Sequence, residues 1–451
     1  MILNQEIMNR TLHIEKEVPV VGSYDVVVCG GGPAGFIAAI AAARELAREK
    51  GLGKGRVALV ERYGYLGGMA TAGLVTPLSV FTYNGEQVIG GIPWEFVGRL
   101  VEMGGGLIEK PLGNVAFDPE LYKLCVQRMV LEAGVDLYMN SYLCGCRKEG
   151  GRLSHVLFEN KNGTEALEAK VFIDATGDAD LAYEAGVPMQ PSEGPLQPLS
   201  TYFVLSGVDT DSPMIQKFMH HNRQGVNCHC LPVREKLLET AEEKGIPDFG
   251  GPWFCTVLHD GSVAVNMTRT AANACDNRAF TEAECRLRED VFKMAGILRE
   301  NFPEFRNSYV SAVAPQAGVR ETRRILGAHT VTGEEYLNAY RYEDSVSRGA
   351  HPIDIHAGKG ASQGCTFLKE PAYVPYRALY SPDFENLLVA GRCISADRIA
   401  FASLRVQASC MGTGQAAGIA AALSAANCAG DVRTVDIPAL ISRLKEAGAV
   451  L

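Results

Sequence analysis

Apolar and polar positions along the first third of the chain follow a strand, helix, strand order. Tyr24-Asp25-Val26-Val27-Val28-Cys29 is an apolar run that stops at glycine. An alanine-rich helical run follows to about Arg48, and Arg56 to Val60 is a second short apolar run, ending at Glu61. This order predicts a βαβ unit of a parallel sheet. Downstream, Glu95 to Met103 reads as a helix stopped by Gly104. Asp118 to Ala133 reads as another, with Asp118 as N-cap, Pro119 in the first turn and an apolar face of Leu121, Leu124, Cys125, Met129 and Val130. Val135 to Asn140 predicts a strand, and Leu153–Glu159 with Glu165–Phe172 a hairpin around Lys161-Asn162-Gly163.

From about Leu196 to Tyr376 the pattern changes. Tyr202–Leu205 and Gly261–Met267 read as strands, and Thr281 to Asn301 as a long helix capped at Thr281 with Glu284 in the capping-box position. Asn386–Val389 is again a buried strand, ending at Gly391-Arg392, and Gly412 to Leu423 is a helix with a glycine-rich N-terminus. The expected organisation is a nucleotide-binding domain over 20–195, a substrate or cap domain over 196–376, a return to the first domain over 377–430, and a C-terminal helix over 431–451.

The junction of the first strand and helix carries the chemistry. Gly30-Gly31-Gly32-Pro33-Ala34-Gly35 is a G-x-G-x-x-G turn. Gly30 permits the turn, Gly32 lets backbone amides approach a pyrophosphate, and Gly35 lets the helix pack close to the strand. The positive end of the helix dipole then faces the phosphates. Glu61 is placed to accept from ribose hydroxyls, and an acid there favours an unphosphorylated ribose, as in FAD or NAD. Gly64 to Gly73, containing Gly67-Gly68-Met69, leaves the second strand at its carboxyl end, where ligands bind in open α/β sheets. Ile173-Asp174-Ala175-Thr176-Gly177-Asp178 ends another strand in flexible backbone. No second G-x-G-x-x-G followed by a helix is evident, so no dedicated NAD(P)H domain is expected.

Composition narrows the setting. With 451 residues the chain exceeds one ordinary domain. A net charge of −9 argues against nucleic acid or an anionic membrane as partner. No apolar run approaches a membrane span, and Met1 to Glu17 lacks a signal-peptide core, so a cytoplasmic protein is expected. The thirteen cysteines are scattered and best read as small buried hydrophobes in a reducing compartment. Two C-x-C pairs stand out, Cys144/Cys146 and Cys228/Cys230, the second near His220, His221 and His229. Their spacing matches no common zinc signature, and no metal is expected.

These motifs together resemble the FAD-dependent oxidoreductases of the glutathione-reductase type. The resemblance is strongest to a broad bacterial family that also carries a segment like Arg320-Glu321-Thr322-Arg323-Arg324-Ile325, and one like Tyr373-Val374-Pro375-Tyr376-Arg377. It runs from about Tyr24 to Leu423. It implies an α/β fold: a Rossmann-type FAD-binding domain in three layers (β/β/α), with an inserted α+β substrate domain. It implies FAD held by Gly30, Gly32, Pro33, Ala34 and Gly35 at the pyrophosphate, and by Glu61 and Arg62 at the adenosine ribose. Leu143 would line the adenine pocket, and Gly67, Gly68, Met69, Ala175, Thr176 and Gly177 the cleft. Gly391 and Arg392 would lie near the ribityl phosphate. The helix starting near Gly414, with Gly412, Gln415 and Ala416, would point its dipole at the flavin. Relatives often have an acid where Arg392 stands; Asp397 is the nearest substitute.

Candidate catalytic groups cluster between Arg320 and Arg405. Arg320, Arg323 and Arg324 could clamp an anion or form a salt-bridged strand with Glu321. In His351-Pro352-Ile353-Asp354-Ile355-His356, alternation puts His351, Ile353 and Ile355 on one face and Asp354 and His356 on the other. A His beside an Asp suits proton transfer, a metal pair, or an ordinary surface strand. Tyr376 and Arg377 stand where the chain crosses back to the nucleotide domain, either gripping substrate beside the flavin or packing as a hinge. The leading expectation is a flavoenzyme moving a hydride between a small organic substrate and FAD, with an electron acceptor that the sequence does not identify. The alternatives are a fumarate-reductase-like reductase of an activated double bond and a non-catalytic FAD-loaded subunit; a homo-oligomer is compatible with each.

Overall fold

Strand β1 (Val20–Cys29) lies at the centre of a seven-stranded sheet, and its residues from Tyr24 to Cys29 are buried on both faces. That burial explains an unbroken apolar run where an alternating pattern would mark a half-exposed strand. The computed structural model describes residues 11–51, 53, 55–110, 113–220, 230–244, 248–357 and 362–451. Cys228, His221 and His229, of the second C-x-C cluster, lie outside the described residues.

β1 pairs in parallel with β2 (Val57–Val60) on one side and with the long Gly163–Asp174 strand on the other. Asp136–Tyr138 extends the sheet beyond β2, and Leu387–Val389 pairs with the far end of Gly163–Asp174, both in parallel. The near end of Gly163–Asp174 pairs antiparallel with Arg152–Asn160, which pairs in turn with Tyr142–Glu149. One long strand therefore belongs to both a parallel Rossmann-type sheet and an antiparallel meander, while helix α1 (Pro33–Lys50) and the Gln407–Asn427 helix supply the third layer. The fold is α/β, as its motifs imply.

A second, five-stranded sheet is built from Met219–His220, Phe249–Thr256, Ser262–Thr268, Phe203–Ser206 and Tyr309–Val313. The Asn277–Asn301 helix covers it with Val291, Met294 and Leu298, while Leu287 packs with Leu199, Ala317 and Val319. The chain then returns through two short antiparallel pairs, Ser345–Gly349 with Ala372–Pro375 and Ile353–His356 with Gln363–Thr366. The Ile437–Glu446 helix ends the fold.

Three helix starts differ from the sequence expectation. The helix expected from Glu95 begins at Ile92, where Gly91 is N-cap and Pro93 fits the first turn. The helix expected from Thr281 begins at Asn277: Asp276 caps it, Thr281 bonds back to the Asn277 carbonyl, and Glu284 accepts from Ala317 N–H rather than closing a capping box. The helix expected near Gly412 begins at Gln407. Cys29, Cys125 and Cys393 are buried, whereas Cys144 is exposed. Among the described residues no cluster of His, Cys, Asp and Glu could hold a metal ion, and no helix is long and apolar enough to cross a membrane.

Candidate active site

The turn after β1 is a cradle that side chains would fill. Gly30 has φ +96°, and a Cβ there would lie 2.5 Å from the Ala175 carbonyl oxygen. A Cβ on Gly35 would overlap the Gly30 carbonyl oxygen, so glycine is what lets α1 start against the strand. Gly32 is different: a Cβ there would meet only Gly68 Cα, at 3.7 Å, so its backbone is open to the cleft. The Gly67–Gly68 loop is fastened across it by Gly67 N–H donating to Gly31 O at 2.9 Å. Pro33, Ala34, Gly68 and Met69 line the cleft at the N-terminus of α1.

Glu61 is 5% exposed. Its Oε2 accepts from Gly31 N–H at 2.7 Å and its Oε1 from Tyr63 N–H at 2.9 Å. Burial pushes its carboxyl above the ordinary range, and the two backbone donors pull it back. It borders a small pocket of about 40 Å³ with Arg62, Leu143 and Thr176. That pocket shares Gly30, Glu61, Arg62 and Thr176 with a cleft of about 80 Å³ that continues to Gly177, Gly391 and Arg392. Asp174 is structural here: it accepts from Thr176 N–H and Oγ1 and from Ala182 N–H. Arg392 donates to Asp178 at 3.0 Å, while Asp397 is spent capping the Arg398–Leu404 helix and does not take the place of an acid at 392.

The structure moves the end of the long helix. Gly412, Gly414, Gln415 and Ala416 lie inside the Gln407–Asn427 helix and not at its N-terminus, and none of them lines the cleft. A Cβ on Gly414 would overlap the Ala34 carbonyl oxygen, and one on Gly418 the Ala38 carbonyl oxygen. Their small size serves a close crossing with α1. The helix end that faces the cleft is Val406-Gln407, and Gln407 Oε1 is buried there without a partner among the described residues. Arg392 Nε and Arg405 Nε are likewise buried and unpartnered among those residues. A glycine cradle at a helix N-terminus, a buried carboxylate beside it and orphaned donors and an acceptor along the inner wall fit FAD.

Beyond this wall lies a larger cavity of about 280 Å³ between the two sheets, sharing Met69, Arg392, Arg405 and Gln407 with the cleft. His356 is on its wall, 5% exposed, with its ring perpendicular to that of Trp253 at 6.1 Å between centroids. His356 Nε2 meets Asp354 Oδ2 at 2.8 Å, and Nδ1 has no partner among the described residues. Burial, reinforced by the Arg320 charge, holds the imidazole well below its ordinary pKa, so it is neutral near pH 7. A carboxylate can only accept, so Nε2 carries the proton and Nδ1 the lone pair. Asp354 is pushed up by burial, but His356 and Arg405 outweigh this and hold it well below the carboxylate range. His351 precedes the strand and lines the same cavity as Asp354 and His356, so strand alternation does not separate it from them.

Other expected groups are elsewhere. Tyr376 is buried under the first sheet and donates its hydroxyl to Val432 O at 2.8 Å. Arg377 is at the surface, paired with Asp344 at 3.0 Å. Neither lines the cleft or the cavity, because the short Tyr376–Leu379 turn packs as a hinge. Of the three clustered arginines, Arg320 alone faces the cavity; Arg323 is taken by Asp180 and the Asp178 carbonyl, Arg324 by Glu321 and the Ala396 carbonyl. Sequence reasoning missed Arg405 and Gln407; the available signal was polar side chains in the apolar run just before the glycine-alanine helix. It also missed Tyr202, Trp253 and Asn266, whose strands carry no motif.

A family described as FAD dependent oxidoreductase matches residues 25–444. Among curated proteins nothing matches. Solved structures similar to the chain include a geranylgeranyl bacteriochlorophyll reductase-like protein from Thermoplasma acidophilum, 14% identical, covering 94% of this chain and 83% of that one at a TM-score of 0.46. They also include the flavin-dependent brominase Bmp2, 14% identical over 94% of this chain and 83% of that one, TM-score 0.44. A flavoprotein/dehydrogenase from Cytophaga hutchinsonii is 14% identical over 89% of this chain and 78% of that one, TM-score 0.42.

Proposed function

This chain belongs to the FAD dependent oxidoreductase family, and we propose that it moves a hydride between a small organic substrate and FAD. The observation that carries this reading is the shared wall: Met69, Arg392, Arg405 and Gln407 border both the FAD cleft and the 280 Å³ cavity, so a molecule in the cavity would adjoin the cofactor. In this reading segments 20–195 and 377–430 build most of the FAD side and 196–376 most of the substrate side.

Bound FAD supplies the two-electron redox chemistry; the protein binds, orients and handles the proton. The Gly30–Gly35 turn and the α1 N-terminus hold the diphosphate, and Glu61 the ribose. Arg392, fixed by Asp178, and Gln407 line the inner end. His356 Nδ1 is the proton acceptor for the substrate's O–H or N–H, with Asp354 fixing the tautomer and supporting the imidazolium that forms. Val75, Pro77 and Trp253 supply part of the apolar wall of the cavity.

The test is anaerobic titration of the yellow protein with a panel of hydroxy acids, amino acids, amines and polyols. Bleaching of the flavin band by one class, with recovery on reoxidation, is expected. A flavin that no donor bleaches overturns the reading and favours a non-catalytic FAD-loaded subunit.

A further inference from the structure

The cavity beside the FAD cleft holds more buried cation than anion. Arg320 is 8% exposed and both its hydrogen bonds run from Nη1, to Pro198 O at 2.6 Å and Ser200 Oγ at 2.8 Å. Its Nε and Nη2 have no partner among the described residues. Arg405, on the same wall, donates to the Asp354 carbonyl at 3.1 Å and stands 3.5 Å from the Asp354 carboxylate. Behind the wall, Arg269 is 2% exposed, and none of its three guanidinium nitrogens has a hydrogen-bond partner among the described residues. It is pressed against Gly250, with its charge 5.7 Å from the centre of the Trp253 ring.

Three arginines thus face one carboxylate, Asp354, which His356 already engages. Glu321, the nearest other acid, is bonded to Arg324 and to Gln197 N–H. Burial and mutual repulsion lower Arg320 to about 10 and Arg269 to about 9. Buried charge without a counter-charge is strongly unfavourable unless a partner enters. The partner must fit a small space, since about 280 Å³ is at the lower end of the roughly 300–1,000 Å³ typical of small-molecule sites.

We propose that this cavity is a carboxylate site: Arg320 takes the ligand's carboxylate through Nε and Nη2, Arg269 adds positive charge without a hydrogen-bond partner among the described residues, Arg405 adds charge that Asp354 partly offsets, and the substrate is a small organic acid. The claim rests on the hydride-transfer reading only in calling the ligand a substrate. The geometry disfavours amines, which would bring a further positive charge to Arg320. A planar guanidinium with two free donors suits a carboxylate better than a hydroxyl. Asn266, with Oδ1 unpartnered among the described residues, and His356 Nδ1 remain for the ligand's other polar groups.

The experiment titrates the FAD-loaded full chain with acetate, glycolate, malonate and succinate, each against its amide, by calorimetry and by perturbation of the flavin absorption band. At least one acid is expected to bind about tenfold or more tighter than its amide. Arg320→Gln is expected to weaken that acid about 10- to 100-fold while FAD content stays unchanged, and Arg320→Lys to restore part of the loss. If every acid binds no better than its amide, or if Arg320→Gln binds the acids as wild type does, the proposal is overturned. The acid-against-amide comparison uses unmodified protein, so a variant that misfolds leaves the test intact. The two readings also fail separately. Acids that bind while no donor bleaches the flavin retain the carboxylate site and remove hydride transfer. Bleaching by neutral donors alone, without acid binding, does the reverse.

Discussion

Arg392 donates from Nη2 to Asp178 Oδ1 at 3.0 Å and so ties the turn after the Leu387–Val389 strand to the turn after Gly163–Asp174. Thr322 donates to the same oxygen at 2.7 Å, which brings the arginine-rich segment into the contact. Three pieces of chain far apart in sequence meet at one largely buried carboxylate on the cleft wall. Asp178→Asn leaves the guanidinium without its charge partner, and breaking a buried pair from one side costs about 3 kcal/mol. Calorimetric unfolding should show a lowered melting temperature, and FAD should be lost more readily on dialysis. A variant that keeps both wild-type melting and wild-type FAD retention would show that the pair is dispensable.

Glu61 accepts one backbone N–H with each oxygen. Glu61→Gln puts an NH₂ group opposite one of those donors and removes the charge that the proposed ribose contact uses. FAD binding is expected to weaken by about 1.5–3 kcal/mol, read from fluorescence quenching on reconstitution. An unaltered dissociation constant removes Glu61 from the adenosine site.

Gly414 lies inside the Gln407–Asn427 helix and does not line the cleft. Adding a methyl group drives it into the Ala34 carbonyl at the start of α1, and neither backbone can yield without parting the two helices. Gly414→Ala is expected to cost about 1–3 kcal/mol by overpacking and to reduce FAD occupancy, because α1 presents Pro33 and Ala34 to the cleft. Urea denaturation and the ratio of flavin to protein absorbance measure the two effects; a stable, fully loaded variant would contradict the close crossing.

Asp180 gives a pH dependence whose direction follows from its surroundings. Burial, then the charges of Asp178 and Asp174, push its carboxyl to about 7. The folded chain therefore keeps a proton between about pH 4 and 7 that the unfolded chain releases. Native protein binds more protons over that interval, so this group's contribution makes stability fall as pH rises through it. Asp180→Asn removes the slope, and the variant should gain on the wild type from pH 5 to pH 8 in denaturant melts of the FAD-free chain. A difference that stays constant with pH would sink the assignment.

What the sequence made legible follows a physical rule. The Gly30–Gly35 turn and the Asp118 cap are local: backbone geometry at each is decided by residues a few positions away, and both form, with positive φ at Gly30 and Asp118 accepting from Glu120 and Leu121 N–H. Gly412 and Gly414 read as a glycine-rich helix N-terminus facing the flavin because glycine at a helix end and glycine in a tight helix crossing leave the same trace in one sequence. Only the position of Ala34, hundreds of residues away, separates the two. Tyr376 and Arg377 had the residue types of a substrate grip, but Asp344 and the Val432 carbonyl are their partners. Trp253 and Asn266 reach the cavity from strands of the second sheet, and Arg269 stands behind its wall just after one of them, with no pattern beyond burial. A cavity made by long-range contacts has no local signature.

His356 is the group whose behaviour most directly probes the cavity. Asp354 Oδ2 accepts from its Nε2 N–H, Arg320 and Arg269 press on it with positive charge, Arg405 adds charge through Asp354, and the Trp253 ring stands perpendicular to it. Burial first, and Arg320 next, hold its pKa well below 6.5, while Asp354 pulls in the opposite direction without prevailing. The proton-accepting form is therefore populated from high pH down to well below 6.5, and the acid limb of flavin reduction by substrate should lie below that value. His356→Gln should slow reduction by about 10²- to 10⁴-fold and abolish that limb, with FAD content intact. Arg320→Gln removes a cation beside the ring, so the limb should move to higher pH, whereas Asp354→Asn removes the pull toward protonation and should move it lower. A structural role for His356 would lower stability without moving the limb in either neighbour's variant. Stopped-flow reduction across pH 5 to 9 in the three variants separates the cases: coincident limbs in wild type, Arg320→Gln and Asp354→Asn would show that His356 carries no proton in the reaction.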